Sequence, residues 1–196
     1  GNNPKIGEAG IQDSDEDALR YLEHITSGQV SRERLEAFHR GAVRMMTWME
    51  QHTQVRFDPL DRYTDYYPEA PGGRPGGRSM ESRPFDGAVL GDELKNLRRP
   101  HPQSQILGKF GITARQAHTM LAATWRTTVL MAWLFFRFFL RTLKRRRFGR
   151  DTHLVCGNAL AGRLRASMAD RQIPLWLSTP AQRLVQGHYR WALLKL

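Results

Sequence analysis

Apolar residues recur at helical spacing in the first quarter of the chain, and turn residues bound each recurrence. After Ser14, which is placed to cap a helix, one stripe runs as far as Gly28 and comprises Ala18, Leu19, Leu22 and Ile25. A second stripe begins at the Ser31 cap and runs to about Gln51, with Leu35, Phe38, Ala42, Met45 or Met46, and Met49 on its face. The pattern predicts a helical hairpin over residues 1–52.

Helical periodicity stops after this hairpin. Residues 53–112 hold no sustained apolar pattern apart from a short strand predicted at Val55–Phe57. At their centre lies DYYPEAPGGRPGGRS, residues 65–79. Its prolines lack a backbone N–H and its paired glycines give the backbone freedom, so this stretch is neither helix nor strand. The pattern predicts a long ordered loop region.

The strongest apolar run lies in residues 113–150, where Thr113 is placed to cap a long helix with the centre VLMAWLFFRFFL. The uninterrupted run between Arg126 and Arg137 is well below the roughly 20 residues that span a bilayer. The pattern therefore predicts a buried helix whose basic C-terminal end favours the helix dipole. An interfacial membrane helix is the alternative, because the cationic end lies beside Trp133 and four phenylalanines.

Residues 151–196 predict a helix and then a strand. Asn158 is placed to cap the helix, whose apolar positions include Leu160 and Leu164. Ile173–Leu177 alternates in the manner of a strand. A single strand cannot satisfy its own edges, so most of its sheet must come from elsewhere. The whole pattern predicts an α/β fold class, with an α+β and mostly helical arrangement in this chain.

Charge narrows the classes of partner. The net charge is +11 at pH 7; six of the ten residues 141–150 are basic, whereas the charged residues of 8–23 are mostly acidic, with six Asp or Glu and one Arg. Such a patch attracts phosphate groups, on either nucleic acid or anionic membrane. The single basic run Lys144–Arg147 matches no recognised nucleic-acid motif, so we expect no nucleic-acid partner.

Other chemistry is excluded by what the sequence lacks. Cys156 is the only cysteine, which rules out an internal disulfide framework and a cysteine-based zinc cage. No HExxH pair, nucleophile elbow or phosphate-cradling glycine motif occurs, and we expect no metal. The N-terminus has no secretory signal, so we expect a cytoplasmic protein, with peripheral contact to the inner membrane under the interfacial-helix alternative.

Three phenols remain as candidates for chemistry, namely Tyr63, Tyr66 and Tyr67. Under one interpretation their rings pack the loop against the body of the protein. Under the other, one phenol takes part in proton transfer, which requires that neighbouring charge or a hydrogen bond from a second phenol lower its pKa. The residues alone leave both interpretations open.

Several sequence segments follow one another in an order that is found in a known protein family. They are NNP, two helices, DYYPEAPGGRPGGRS with MESRPFDG, and then GNALAGRLRASMADRQIPLWLSTPAQRLV. This order resembles the 3-ketosteroid 1-dehydrogenases and related flavoproteins of the fumarate reductase/succinate dehydrogenase group, over nearly all of residues 2–185. The resemblance implies a partial FAD-binding Rossmann-like domain with part of an inserted substrate or cap region. It also implies FAD as cofactor, a 3-ketosteroid-like apolar substrate, and desaturation between C1 and C2 of the steroid with hydride transfer to the flavin.

The resemblance assigns roles to four residues. Tyr66 aligns with a tyrosine that assists the catalytic base by a hydrogen bond, and Tyr67 is the alternative if the register differs by one. Tyr63 and Tyr67 would line the wall of the steroid pocket. Ala181 would approach the adenine of FAD through its backbone, where the family has a TPV-like motif and this chain has Thr-Pro-Ala.

The resemblance also implies that family segments are missing. The glycine-rich turn that binds the FAD pyrophosphate, the base tyrosine and the groups that polarise the keto oxygen have no counterpart in this sequence. We therefore expect an incomplete, inactive chain that is colourless when purified and needs the missing segments or another chain to complete its site.

Two functions from other classes stay open. A membrane-associated helical binding protein would use the aromatic helix and its basic end, with Trp125, Trp133, Phe135, Phe136, Phe138 and Phe139 as the membrane-facing residues. A basic nucleic-acid-binding protein would use Arg145–Arg147.

Overall fold

A computed structural model describes residues 2–180, 183–186 and 191–194. Its helices are α1 Pro4–Glu8, α2 Asp15–Thr26, α3 Arg32–His52, α4 Ala114–Leu121, α5 Trp125–Leu140, α6 Thr142–Phe148 and α7 Cys156–Asp170. Its strands are β1 Phe57–Pro59, β2 Met80–Ser82, β3 Phe85–Asp86, β4 Gln105–Ile106, β5 Phe110–Gly111, β6 His153–Leu154, β7 Arg183–Gln186 and β8 Trp191–Leu194. Two 3-10 helical segments lie at Gly87–Asn96, which is kinked at Gly91, and at Pro102–Ser104.

The helical hairpin is confirmed by α2 and α3. Ser14 caps α2, because its Oγ accepts a hydrogen bond from the Asp17 N–H at 3.0 Å. Ser31 occupies the N-cap position of α3, although its side chain makes no capping hydrogen bond. His39 on α3 lies 2.9 Å from the Asp15 carboxylate of α2, which ties the two helices together at one end.

The strands form short antiparallel pairs. β1 pairs with β2, β3 with β6, β4 with β5 and β7 with β8, so each sheet of the described residues has two strands. The strand predicted at Val55–Phe57 is present but begins two residues later, as β1. Since β1 and β2 bound the proline- and glycine-rich stretch, that stretch is the long connection of a β-hairpin. The remainder of the loop region predicted over residues 53–112 is not all loop, because it also contains β3, β4, β5 and two 3-10 helices.

A small core joins the middle of the chain to α7. Leu94, Leu154 and Ala159 are buried together, and partly buried apolar side chains surround them: Phe85, Leu90, Leu97 and Phe148. Arg150 is buried beside this core and donates hydrogen bonds to the carbonyl oxygens of Leu94 and Leu97. The Leu94 carbonyl also accepts from the Leu97 N–H, so Arg150 adds a second bond there and supplies a partner for the Leu97 carbonyl just past the end of the longer 3-10 helix.

The helix predicted over residues 113–150 is three helices. Thr113 forms the capping box of α4 with Gln116, as its position predicts. The chain then breaks before α5, where Ala123 has a positive φ of 47°, and again at Arg141 between α5 and α6. The described residues contain no helix that is both long enough and apolar enough to cross a membrane.

The prediction that this segment is buried was wrong. Leu134 is the only fully buried residue of α5. One side of α5 packs on Phe110, whose ring lies 5.5 Å from Phe135 and 5.2 Å from Phe138 between centroids. The helix is apolar all round, but the described residues supply a partner for one side only.

Two details of the C-terminal prediction are also corrected. Val155, and not Asn158, is the N-cap of α7; the Asn158 side chain instead accepts from the buried Arg150 at 3.4 Å. Ile173–Leu177 is not a strand, because none of the described strands lies alongside to bond its backbone. The strands of this region come later, at β7 and β8, which pair with each other.

Candidate functional site

The loop between β1 and β2, which carries the three candidate phenols, is fixed to α2 by a buried ion network. Arg78 donates to both carboxylate oxygens of Asp13, at 2.8 and 2.9 Å, and to Asp65 at 3.0 Å. The three side chains are 9%, 1% and 10% exposed, respectively. Arg78 also lies over the Tyr21 ring at 5.6 Å. A planar guanidinium that bridges two carboxylates in this way fixes both the position and the direction of the loop.

Backbone hydrogen bonds close the loop on itself. Leu60 donates to Ser79 and accepts from Gly77, which extends the β1–β2 pairing into the loop. The Asp65 N–H donates a hydrogen bond to the Arg74 carbonyl oxygen at 3.0 Å. The turn formed by the second half of the loop is therefore internally hydrogen-bonded and does not depend on side chains alone.

The loop also touches α2 through backbone groups. The buried Tyr21 hydroxyl accepts a hydrogen bond from the Tyr67 N–H at 3.3 Å. Gly72 lies so close to α2 that a Cβ built on it would be 2.1 Å from the Asp17 carbonyl oxygen. This contact requires glycine, both for space and for its positive φ of 75°.

Asp13 titrates abnormally because of this network. Burial alone would raise its pKa, but the hydrogen bonds and charge of Arg78, together with backbone N–H groups, lower the pKa of Asp13 to about 2. The carboxylate is thus ionised throughout the neutral range. The charge that holds the loop is lost only in strong acid.

Stability should therefore fall in acid partly through Asp13. Its folded pKa of about 2 lies below the ordinary 3.8, so its contribution is fully present above the ordinary value and is lost as pH falls towards 2. At neutral pH this contribution is about 2 kcal/mol. Denaturant unfolding at a series of pH values should show a weaker acid dependence in Asp13→Asn. Asp58→Asn, at a surface pair with Arg83, is the matched control and should keep the full dependence; equal curves for the two variants would contradict the assignment.

The structure presents the three phenols in different ways. Tyr66 is 87% exposed, and Tyr67 is also exposed. Tyr63 stacks on His118 with 6.5 Å between ring centroids. Tyr63 and His118 line a cavity of about 540 Å³ together with Trp125. The structure thus brings Tyr63 to a cavity wall, whereas Tyr66 and Tyr67 stand outside that cavity.

A larger cavity of about 830 Å³ lies at the start of α7. Its lining is cationic, with Arg99, Lys109, Arg145, Arg146 and Arg150. Burial, with the charges of Arg137 and Arg141, lowers the pKa of His153 in this wall to about 3, so the imidazole is neutral at pH 7. Among the described residues its Nε2 has no hydrogen-bond partner.

Sequence reasoning missed the ion network that positions the loop. Asp13 precedes a helix and Arg78 ends a glycine-rich run, and 65 residues separate them. No local pattern connects two such positions. The one available signal was the arginine itself, at the point where the loop returns to a strand.

The described residues do not form a complete cofactor site. Ala181, which was assigned to the adenine, lies outside the described residues. Within residues 2–180, 183–186 and 191–194, no parallel strand–turn–helix unit is present to cradle the FAD pyrophosphate.

Comparison with known proteins defines the class. The sequence profile described as "FAD binding domain" matches residues 1–192. The chain belongs to this FAD-binding family, whose cofactor is FAD, and its α/β class is thereby confirmed.

Particular relatives narrow the similarity further. The chain is 30% identical over 179 residues to the 3-oxosteroid 1-dehydrogenase of Comamonas testosteroni, covering 91% of this chain and 31% of that protein. It is 40% identical over 96 residues to the enzyme of the same name from Mycobacterium tuberculosis, covering 49% of this chain and 17% of that protein. These relatives confirm the resemblance to the 3-ketosteroid dehydrogenases.

A solved structure shows the same similarity in three dimensions. It is the 3-ketosteroid delta1-dehydrogenase of Sterolibacterium denitrificans, in complex with 1,4-androstadiene-3,17-dione. The TM-score is 0.88 at 36% identity, over 98% of this chain and 34% of that one. The chain thus spans about a third or less of the length of the proteins that it matches.

Proposed function

We propose that this chain is part of an FAD-dependent oxidoreductase that desaturates the C1–C2 bond of a 3-ketosteroid. The family and the relatives support this proposal. The chemistry of such a ketone is specific: C2 lies beside the carbonyl, so a proton leaves C2 to give an enolate, and the hydrogen on C1 leaves as hydride. Bound FAD supplies the acceptor for that hydride. The rest of the proposal concerns the residues of this chain.

The observation that carries the proposal is a free phenol on a fixed loop. Tyr66 is 87% exposed although the loop on which it lies is held by the buried Arg78 network. A tyrosine that only packed the loop would bury its ring. A loop held rigidly while it presents a hydroxyl suits a residue that must meet another group at a fixed distance.

Tyr66 is proposed as a positioning residue. Its hydroxyl would donate a hydrogen bond to the base that takes the C2 proton, which favours the ionised form of that base and lowers its pKa. Tyr67, whose N–H is held by Tyr21, takes this role if the alignment shifts by one residue. Tyr63, at the wall of the cavity with His118, and Tyr67 are proposed to contact the apolar substrate.

Tyr66→Phe in the flavoprotein that contains this chain should lower kcat for 3-ketosteroid desaturation by about 10- to 100-fold, because it removes one hydrogen bond to the base. KM should change little. The pH at which kcat reaches half its maximum should rise, since the base loses the bond that lowered its pKa. Steady-state rates across a pH series measure both effects.

Tyr67→Phe is the matched variant. It should leave the pH profile of kcat in place, and a larger effect there than at Tyr66 would assign the role to Tyr67. If both variants keep the kcat and pH profile of the unmodified protein, neither phenol assists the base.

A further inference from the structure

The cavity of about 830 Å³ at the start of α7 gathers positive charge from three separate parts of the chain. These are the segment before α4, helix α6 and the turn between α6 and β6. Five Lys or Arg residues line it: Arg99, Lys109, Arg145, Arg146 and Arg150. Among the described residues of the lining, Asp151 is the only carboxylate. A concave surface that carries one sign of charge concentrates the electrostatic potential, so the cavity is strongly attractive to anions.

The positive charge of this cavity is not neutralised from within the chain. None of the five cations forms an ion pair with a carboxylate of the described residues. Arg150 is only 8% exposed, and its guanidinium donates to two backbone carbonyl oxygens and to the Asn158 amide oxygen, all of which are neutral. Burial and the charge of Arg99 lower the pKa of Arg150. A buried cation without a counter-charge is costly, and an anion in the cavity would stabilise it.

The first turn of α7 forms another part of the wall, through Cys156, Gly157 and Asn158. The N-cap residue Val155 has an apolar side chain, and no side chain makes a capping hydrogen bond to this turn. α7 has 15 residues, and the N-terminus of such a helix carries partial positive charge that favours an anion. A Cβ built on Gly157 would meet nothing within 4 Å, so a ligand can approach the backbone there.

We propose that this cavity binds a soluble phosphate ester with two or more phosphate groups, of the class of a nucleoside diphosphate. Guanidinium groups and helix N-termini both bind phosphate oxygens, and the cavity offers both. Its volume lies within the range of small-molecule sites and exceeds what a single phosphate fills. Because the cations come from three parts of the chain, a diphosphate contacts more of them than one phosphate can.

The proposed ligand is not FAD, although FAD also contains a pyrophosphate. The turn that holds the FAD pyrophosphate in a Rossmann-like unit is glycine-rich and follows a parallel strand. β6, which leads into α7, is antiparallel to β3, and the connection from β6 to α7 is the single residue Val155. The cavity therefore lacks the features of a dinucleotide turn, and its charge comes from side chains instead.

The test is isothermal titration of inorganic pyrophosphate, ADP and inorganic phosphate into the native flavoprotein and into the 196-residue chain. Pyrophosphate and ADP should bind about tenfold more tightly than inorganic phosphate, because two phosphate groups reach cations on more than one side of the cavity. Added salt should weaken the binding by screening. The flavin absorbance of the native protein should stay with the protein throughout the titration.

A charge variant and its matched control test which cations bind the ligand. The double variant Lys109→Gln, Arg146→Gln removes two exposed cations of the cavity and should weaken pyrophosphate binding about tenfold or more. The double variant Arg34→Gln, Arg44→Gln removes the same charge from exposed positions of α3 and should bind as the unmodified protein does. The comparison separates binding in the cavity from attraction to the net charge of the chain.

A second pair of variants tests the space beside α7 without changing charge. Gly157→Val places a side chain against the first turn of α7 and should also weaken pyrophosphate binding about tenfold, because it blocks the backbone N–H groups. Gly41→Val makes the same change in α3, where an added Cβ likewise meets nothing within 4 Å, and should leave binding unchanged. Circular dichroism shows that both variants are folded.

Several outcomes would overturn the proposal. Unchanged binding by the Lys109→Gln, Arg146→Gln variant, or an equal loss in its α3 control, would mean that the cavity does not hold the ligand. Release of flavin by pyrophosphate would place the ligand in the FAD site. Binding by the 196-residue chain but not by the native protein would mean that another segment supplies the counter-charge. None of these readouts depends on turnover, so the result is independent of the proposed catalytic function.

Discussion

Replacing Arg78 with methionine should destabilise the chain by about 3 kcal/mol, because it leaves two buried carboxylates without their common partner. Asp13 is 1% exposed and Asp65 is 10% exposed, so water cannot replace the guanidinium. Arg74, whose Nε lies 3.7 Å from Asp13, relieves part of the loss and keeps the effect at the lower end of the range for buried pairs. Methionine retains most of the apolar stem, so the effect reports the lost charge and hydrogen bonds.

Denaturant unfolding measures this effect, and an exposed pair on α2 is its control. Arg20→Met removes an arginine that pairs with Glu16 at the surface, and it should lower the free energy of unfolding by less than about 1 kcal/mol. The double variant Asp13→Asn, Arg78→Met should be less destabilised than the sum of the single variants, because the charge that Arg78 neutralised is gone. An Arg78→Met chain as stable as Arg20→Met would show that the network does not hold the loop.

Gly72→Ala should cost about 2 to 4 kcal/mol and detach the loop from α2. The new Cβ would lie 2.1 Å from the Asp17 carbonyl oxygen and 3.0 Å from the Tyr21 nitrogen, and both are backbone atoms of a helix that cannot move aside. The positive φ of 75° adds strain for any residue with a side chain. Limited proteolysis within residues 65–79 should become faster as the loop detaches.

Gly10→Ala separates the two causes. Gly10 has nearly the same φ, 72°, but an added Cβ would meet nothing within 4 Å. Its replacement should lower the free energy of unfolding by only about 1 kcal/mol, because the positive φ is then the sole source of strain. Similar losses for the two variants would mean that the loop does not pack on α2 as the structure shows.

The sequence predicted elements well where the determining signals are local. The helical hairpin follows from a serine cap, an apolar stripe and a glycine stop within a few residues of one another, and Ser14 caps α2 as its position predicts. The absence of helix and strand from residues 65–79 follows from the backbone chemistry of proline and glycine in the same way. Such signals depend only on neighbouring residues, so the rest of the fold does not override them.

Prediction failed where the outcome depends on distant partners. The alternation of Ile173–Leu177 is typical of a strand, yet a strand forms only beside another strand, and none of the described strands lies there. The apolar centre of α5 predicted burial, but apolarity alone does not supply a partner for every side. Asn158 bonds Arg150 and not its own helix, a choice that only the tertiary fold determines.

The candidate site came from the sequence in part. The resemblance identified the loop and named Tyr66, but the residues that hold the loop were found only in the structure, because Asp13 before α2 is brought to Asp65 and Arg78 at the two ends of the loop. Tyr63 gained a specific partner in His118, which no spacing could have shown. The roles of Tyr63, Tyr66 and Tyr67 remain proposals, and the assignment of Ala181 is not reached by the described residues.

The fold and the proposed function meet in the loop between β1 and β2. Arg78 and Gly72 hold the loop on α2, and this rigid attachment fixes where Tyr66 is presented. Variants of Arg78 and Gly72 should therefore affect catalysis through position, and variants of Tyr66 through the hydrogen bond itself.

The most direct test of the central claim is to isolate the native protein with an antibody against residues 71–79 and to record its intact mass, its flavin absorbance and its activity. We expect a yellow protein much heavier than 22.6 kDa that forms a 1,4-diene from a 3-ketosteroid with an artificial electron acceptor, whereas the purified 196-residue chain stays colourless and inactive. A colourless native product of 22.6 kDa without turnover would contradict the account.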